Sequence, residues 1–165
     1  MKRTKIIMAI LLVAIFAVFA LGSGESGTDN QGGGSADVNK NEQCNLGKYH
    51  VTIDSCRLAE DYEGKPVVIV KYIFKNVADD NATAFFLAIS DHVYQNGIGL
   101  NEAYFLADNV DYNGYNYSKE IKKGASIEVE IAYELNDTTT DIEVEVEEVF
   151  SFDNKLVKKT FKISG

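Results

Sequence analysis

The chain has no tryptophan, one proline, two cysteines and two histidines. His50 and His92 are too few for a His-rich metal site, and two cysteines without nearby histidines do not make a zinc site. No Gly-x-Ser-x-Gly elbow is present, and the only Ser, His and Asp that sit together, Ser90-Asp91-His92, are neighbours on a predicted strand. Successive strand residues point to opposite faces, so Asp91 and His92 diverge and no Ser–His–Asp group forms. Basic residues are also scarce: 16 Lys and Arg stand against 25 Asp and Glu, a formal charge of −9. Three of those basic residues, Lys2, Arg3 and Lys5, crowd the first five positions; without them the charge is −12. A nucleic-acid binder needs a basic surface to displace counterions, and anionic lipid head groups would repel this one. Cationic partners suit it.

With 165 residues and 45% hydrophobic content, the chain has room for one ordinary globular domain plus accessories. The first accessory is N-terminal. Basic Met1–Lys5 is followed by Ile6–Leu21, 16 residues without a charge, the arrangement of a secretory signal or a short membrane anchor. At about 1.5 Å per residue that run makes roughly 24 Å of helix, short for a bilayer core of about 30 Å. Small side chains at Val18-Phe-Ala20 and Ala20-Leu-Gly22 allow cleavage after Ala20 or Gly22. Bacterial lipoproteins carry a cysteine at that point, whereas here the chain reads Leu21-Gly22-Ser23-Gly24. The basic end stays cytoplasmic, which places the rest outside, either secreted or tethered to the outer face of the membrane.

Residues 22–43 are rich in glycine, serine and small polar residues, with only Ala36 and Val38 apolar after Gly22. Such a segment buries too little surface to offset ordering and reads as a flexible tether, roughly 25 Å from end to end. The predicted organisation is therefore a signal or anchor at 1–22, a tether at 23–47 and a folded domain at 48–165.

That domain alternates with a period of two. Strands are expected at Tyr49–Asp54, Pro66–Phe74, Ala82–Tyr94, Ile98–Leu106, Ser126–Leu135, Ile142–Phe152 and Leu156–Ile163. Pro66–Phe74 is the densest of them. Val68, Val70, Tyr72 and Phe74 point one way, while Val67 and Ile69 make the opposite face apolar too, the mark of a central strand. On Ala82–Tyr94 the inward set is Phe85, Leu87, Ile89 and Val93. Asn96-Gly97 signals a hairpin. Phe150 and Phe152 continue the inward set of Ile142, Val144 and Val146, but Glu148 interrupts it, so a bulge or strand edge is expected there. No convincing helix follows the tether. Seven short strands fit an all-β, antiparallel, immunoglobulin-like sandwich; a small closed barrel is the alternative.

Asp61–Asn76, Tyr94–Gly97, Lys119–Gly124 and Glu147–Asp153 together resemble domain-of-unknown-function family 5067, found in exported proteins of Gram-positive bacteria. The likeness covers about residues 48–163. Members look related to telokin-like, immunoglobulin-like extracytoplasmic domains, among them a secreted mycobacterial immunoprotective antigen. The resemblance implies a β-sandwich on an exported chain and implies no activity or cofactor.

Four groups of residues are candidates for chemistry. Cys44 and Cys56 could close a disulfide worth roughly 3 kcal/mol and pin the tether to the domain; two free thiols, or Cys44 paired with another chain, are the alternatives. The loop Asn109–Glu120 matches the EF-hand spacing, with Asn109, Asp111, Asn113 and Glu120 as calcium ligands and Gly114 at the turn, although Asn stands at the first ligand position and the flanks read as strands. The same loop carries Tyr112, Tyr115 and Tyr117 after Tyr104 and Phe105, a composition of adaptable recognition surfaces that could hold a sugar ring or a protein. The alternative is that these rings pack beneath the loop. Glu128, Glu130 and Glu134, with Glu143, Glu145 and Glu147, form two acidic ladders, which repel if their strands pair and otherwise make a solvated face or a cation-binding one.

These features point to a non-enzymatic extracytoplasmic module that binds a protein or a cell-wall glycan and touches the membrane only through its N-terminus. An extracellular glycan hydrolase would need two carboxylates about 5–10 Å apart in a cleft, one with a raised pKa. A secreted inhibitor or immune-interaction domain rests on fold analogy alone.

Overall fold

β-branched and aromatic residues dominate Pro66–Asn76, and this run is the central strand of the first of two sheets. A computed structural model describes residues 44–78, 81–151 and 155–163. The expected signal or anchor, and the tether up to residue 43, lie outside the described residues. Among those described, no helix is long and apolar enough to cross a membrane. The strands are β1 (Cys44–Asn45), β2 (Tyr49–Glu60), β3 (Pro66–Asn76), β4 (Ile89–Gln95), β5 (Ile98–Gly99), β6 (Ser126–Glu134), β7 (Ile142–Glu148) and β8 (Leu156–Phe161), with a single-turn helix α1 (Phe85–Ala88) before β4. They form two antiparallel four-stranded sheets, ordered β1-β2-β3-β6 and β5-β4-β7-β8.

One apolar core lies between the sheets. Val68, Val70, Tyr72 and Phe74 of β3 meet Val93 of β4 and Ile142, Val144 and Val146 of β7, all buried. Each fully buried large side chain contributes roughly 1.5–3 kcal/mol through area removed from water. On the opposite face of β3, Val67 and Ile69 are buried in a second, smaller cluster with Ala103 and Ala132. The doubly apolar reading of this strand is thus met, and the cover on its outer face comes from a loop rather than from a sheet.

Several expected boundaries move. The first strand runs on to Glu60 through an irregularity between Ile53 and Ser55. The folded part begins by Cys44, because β1 pairs with β2 and Leu46 is buried in the main core. Residues 82–88 are not strand. Phe85 and Ala88, three apart, are the buried pair, which is helical spacing, and α1 leaves Leu87 exposed rather than inward. The Asn96-Gly97 turn forms as expected, with φ of 53° and 74°, both in the region a two-residue hairpin needs. Its return strand, however, pairs only over Ile98–Gly99. At the far end, β7 stops at Glu148, and Phe150 does not continue the inward set: it is 91% exposed and has φ 64°. Phe152 lies outside the described residues. The acidic ladders fall on different sheets and do not face each other. Arg57 and Lys71 answer Glu130 and Glu128 on the first sheet, and Lys158 answers Glu143 and Glu145 on the second.

Buried polar side chains fix the loops at the sheet ends. Gln95 is 1% exposed; its amide donates to the Asp137 and Thr140 carbonyls at 2.9 Å and accepts from the Asn136 and Asp137 N–H groups. Asn76 does the same for the other end, donating to the Ile121 carbonyl at 3.0 Å and accepting from Ala78 N–H. Lys159 of β8 reaches across to the first sheet, where its Nζ donates to the Ile53 and Asp54 carbonyls beside the strand irregularity. Gln95→Leu, which keeps volume but leaves these loop groups without partners, is expected to lower unfolding free energy by about 2–4 kcal/mol, measured by urea denaturation.

Candidate functional site

After Gly99 the chain leaves the second sheet and crosses to the first. This strap is held by main-chain bonds: Ala103 N–H donates to the Ala132 carbonyl at 2.8 Å and Glu134 N–H to the Asn101 carbonyl at 2.9 Å, along the free edge of β6. Farther on, Ala107 N–H donates to the Glu60 carbonyl and Tyr62 N–H to the Phe105 carbonyl, both 3.1 Å, at the end of the β2–β3 hairpin. An edge covered in this way cannot template pairing with another chain. Ala103 and Leu106 of the strap, three residues apart, cover Val67 and Ile69, and Tyr104 and Phe105 between them are left 75% and 71% exposed.

The loop that follows returns over the same face. Asn113 N–H donates to Glu130 Oε2 at 3.0 Å, the Asn116 amide donates to the Glu128 carbonyl at 2.8 Å, and Gly114–Ser118 forms a 3-10 turn. The three loop tyrosines divide. Tyr112 packs on the outer cluster, and Gly114 lies so close beneath it that a Cβ there would stand 2.7 Å from its ring. Tyr117 is half-buried against Phe85 and Phe86, with ring centroids 6.0 and 5.6 Å away. Only Tyr115 is free in solvent, at 83% exposure.

Strap and loop enclose a groove of about 520 Å³, lined by Tyr104, Tyr112, Tyr115 and Tyr117, by Glu102, Asp108 and Glu130, and by an apolar floor of Ala103, Val110 and Ala132. A second cavity of about 540 Å³ shares Glu102 and Tyr104 with it and extends to Asp91, Tyr94 and Tyr133. Glu102 is the common charge. It pushes the Tyr104 hydroxyl above its usual range. Tyr117 is pushed up to about 12, first by burial and then by the charges of Glu102 and Asp91.

At the inner end of the second cavity, polar groups run into the core. Tyr133 donates to Asp91 Oδ2, and the Tyr72 and Tyr133 hydroxyls lie 3.1 Å apart, so Tyr72 donates to Tyr133. Burial raises the Asp91 carboxyl, and the Tyr133 hydrogen bond partly offsets it. The sequence brings Asp91 forward only within the rejected Ser90-Asp91-His92 group, and Glu102 not at all; the signal for Asp91 is a carboxylate at an inward strand position, between Ile89 and Val93.

The remaining candidates separate. Ser90 Oγ and His92 Nε2 lie 3.2 Å apart, while Asp91 turns to Tyr133, so alternation keeps these three from forming a triad. Cys44 is opposite Val51, and Thr52–Ser55 intervene before Cys56. That is roughly 17 Å of strand at about 3.3 Å per residue, against a disulfide Cα–Cα span of about 4.4–6.8 Å. This register does not bring the two cysteines together, and Cys56 is a free thiol, its pKa raised by burial and drawn back by Lys159. Around the candidate calcium loop no helix–loop–helix frame forms: an irregular loop and a 3-10 turn stand there. Among the described residues no group of three or more His, Cys, Asp or Glu is placed to hold a metal ion.

Fold and groove together define a small all-β domain of two facing sheets with a loop-built aromatic groove on one outer face. The chain belongs to the family described as domain of unknown function DUF5067, whose sequence model matches residues 26–148. No curated protein matches it. Among solved structures it is similar to a candidate lipoprotein from Staphylococcus aureus, with 22% identity and a TM-score of 0.53 over 70% of this chain and 84% of that one. It is also similar to YcdA, a candidate lipoprotein from Bacillus subtilis, with 13% identity and a TM-score of 0.52 over 70% of this chain; the match spans 36% of that protein. At these identities the likeness is one of fold.

A raised Asp91 means that the folded state binds this proton more tightly than the unfolded chain does. The stability it contributes is present at low pH and lost as pH climbs above the ordinary aspartate value of about 3.9 towards the raised one. Relative to the wild type, Asp91→Asn is therefore expected to gain stability as pH rises from about 4 to 7, read from urea midpoints. Tyr133→Phe, which leaves Asp91 without its donor, is expected to cost about 1–3 kcal/mol.

Proposed function

We propose that this chain is an exported, non-enzymatic sandwich of immunoglobulin-like type that acts as a binding module, and that its ligand, a protein or a cell-wall glycan, meets the tyrosine groove. The observation that carries this reading is the pair of outward rings, Tyr104 and Tyr115, 75% and 83% exposed on either side of a concave, apolar-floored groove. Leaving large rings in water forgoes burial, and tyrosine at a groove supplies contact area at low entropic cost. Export is supported by the basic and apolar N-terminus and by the similarity to two candidate lipoproteins.

Because Tyr112 and Tyr117 pack inward, the informative variant is Tyr104→Ala with Tyr115→Ala. It is expected to abolish capture of cell-wall or protein fractions while leaving the melting temperature within about 2 °C of the wild type, since neither ring is buried. Capture unchanged in this variant would remove the reading.

One observation favours the second reading, a glycan hydrolase. Asp91, with its raised carboxyl, and Glu102 line one cavity, as an acid and its partner would. On this reading hydrolysis of cell-wall glycan would be measurable in the wild type and fall by two or more orders of magnitude in both Asp91→Asn and Glu102→Gln. On the binding reading no turnover is seen in any of the three.

A further inference from the structure

The two cavities share Glu102 and Tyr104, so they form one trough. Among the described residues its lining holds four carboxylates, Asp91, Glu102, Asp108 and Glu130, and no lysine or arginine. Two of these acids have partners: Glu130 pairs with Arg57 at 2.7 Å, and Asp91 accepts from Tyr133. Glu102 and Asp108 enter no ion pair among the described residues; Asp108 is exposed at the rim, while Glu102 is half-buried and meets only the Tyr104 hydroxyl. Elsewhere on the same sheet, carboxylates of similar exposure are answered by cations, as Asp54 is by Lys71. A half-buried acid without a counter-ion carries a desolvation cost that a bound cation would relieve.

The walls narrow the kind of cation. A metal ion requires several oxygen ligands converging on one point, and no acidic cluster among the described residues offers that. Tyrosine rings instead attract organic cations through the negative potential of their faces and cover the alkyl groups beside the charge. The trough brings Tyr104, Tyr112, Tyr115 and Tyr117 around an apolar floor of Ala103, Val110 and Ala132. Its volume, about 520 Å³ for the tyrosine groove alone, suits an organic head group rather than a bare ion. The net charge of −9 draws cations towards the domain at long range.

We infer that the trough takes a ligand presented through a primary or quaternary ammonium group, with Glu102 as its counter-ion and the exposed rings of Tyr104 and Tyr115 against its alkyl flanks. This rests on the binding role proposed above and specifies its chemistry. Neutral sugars and anions are disfavoured at the same site, the first because they bring Glu102 no counter-charge and the second by repulsion.

The test is calorimetric titration of the full chain, held in non-ionic detergent, with four probes: choline, glucosamine, N-acetylglucosamine, and a lysine whose α-amino and carboxyl groups are blocked. Glucosamine and its acetylated form share a ring and differ in charge, and the blocked lysine separates a peptide source of the ammonium from a sugar source. Binding of at least one of the three amines is expected, about tenfold or more tighter than N-acetylglucosamine, weakened by added salt, and reduced about tenfold in Glu102→Gln. Asp108→Asn, a milder change at the groove rim, is expected to give a smaller loss in the same direction and guards against a folding defect in the first variant. N-acetylglucosamine binding as tightly as glucosamine, or an affinity within about twofold of wild type in Glu102→Gln, would overturn the inference. If none of the amines binds while capture still depends on Tyr104 and Tyr115, the ammonium chemistry falls and the binding groove stands. If capture does not depend on those rings, both fall.

Discussion

The burial of β3 on both faces is the constraint from which the rest of the architecture follows. Val68, Val70, Tyr72 and Phe74 require cover on one side, and the second sheet supplies it. Val67 and Ile69 require cover on the other, where the described residues supply no third layer, and the connection between the sheets is drawn across them. Ala103 and Ala132 are small enough to let the strap lie close, and the two rings between its inward residues Ala103 and Leu106 are left in solvent. The groove is therefore a by-product of packing as much as a feature added to the surface. Its floor is the underside of the core, and its walls are the return of the same loop.

Apolar packing alone tolerates exchange of similar side chains, and the buried polar groups add direction to it. Tyr72, Tyr133 and Asp91 join β3, β6 and β4, thereby linking the two sheets through hydrogen bonds that require particular partners. Gln95 and Asn76 hold opposite loop systems through their amides, and Lys159 ties the second sheet to the irregular point of β2. A shift of β6 by one residue would turn Tyr133 away from Asp91 and expose Val129 and Ile131 together. The polar chain and the apolar pattern specify the same register.

Much of this was legible in the sequence where alternation is strict. The inward set of β3, the alternating β6 and β7, the Asn96-Gly97 turn and the break at Glu148 follow from period-two spacing and turn chemistry. The failures have physical causes. Phe85, Leu87 and Ile89 mimic a strand face, but one helical turn buries Phe85 with Ala88 instead, and four residues are too few to show a helical period. The residues after Gly99 read as a hairpin strand because a two-residue turn usually returns one, whereas cover for Val67 and Ile69 draws them away to β6. The spacing of Cys44 and Cys56 carried no information on register, and it is register that separates them. The roles of Asp91 and Glu102 depend on which strands lie beside them, so no local motif marks either residue.

The pairing of β3 with β6 also governs the order in which the chain can acquire structure. Val67 meets Glu134 and Lys75 meets Ser126, so β3 leaves the ribosome well before one of its two neighbours has been made. Until then the hairpin with β2 presents an unpaired edge and two uncovered apolar faces, and loop closure over that distance must precede any gain from contacts. The strap comes out in between and can settle on Val67 and Ile69 only once Ala132 is beside them. Formation of the domain is accordingly late and concerted. A nascent chain cut short before β6 would expose the most aggregation-prone strand of the protein, because the residues that give the finished domain its centre have nothing to lie against until the chain is nearly complete.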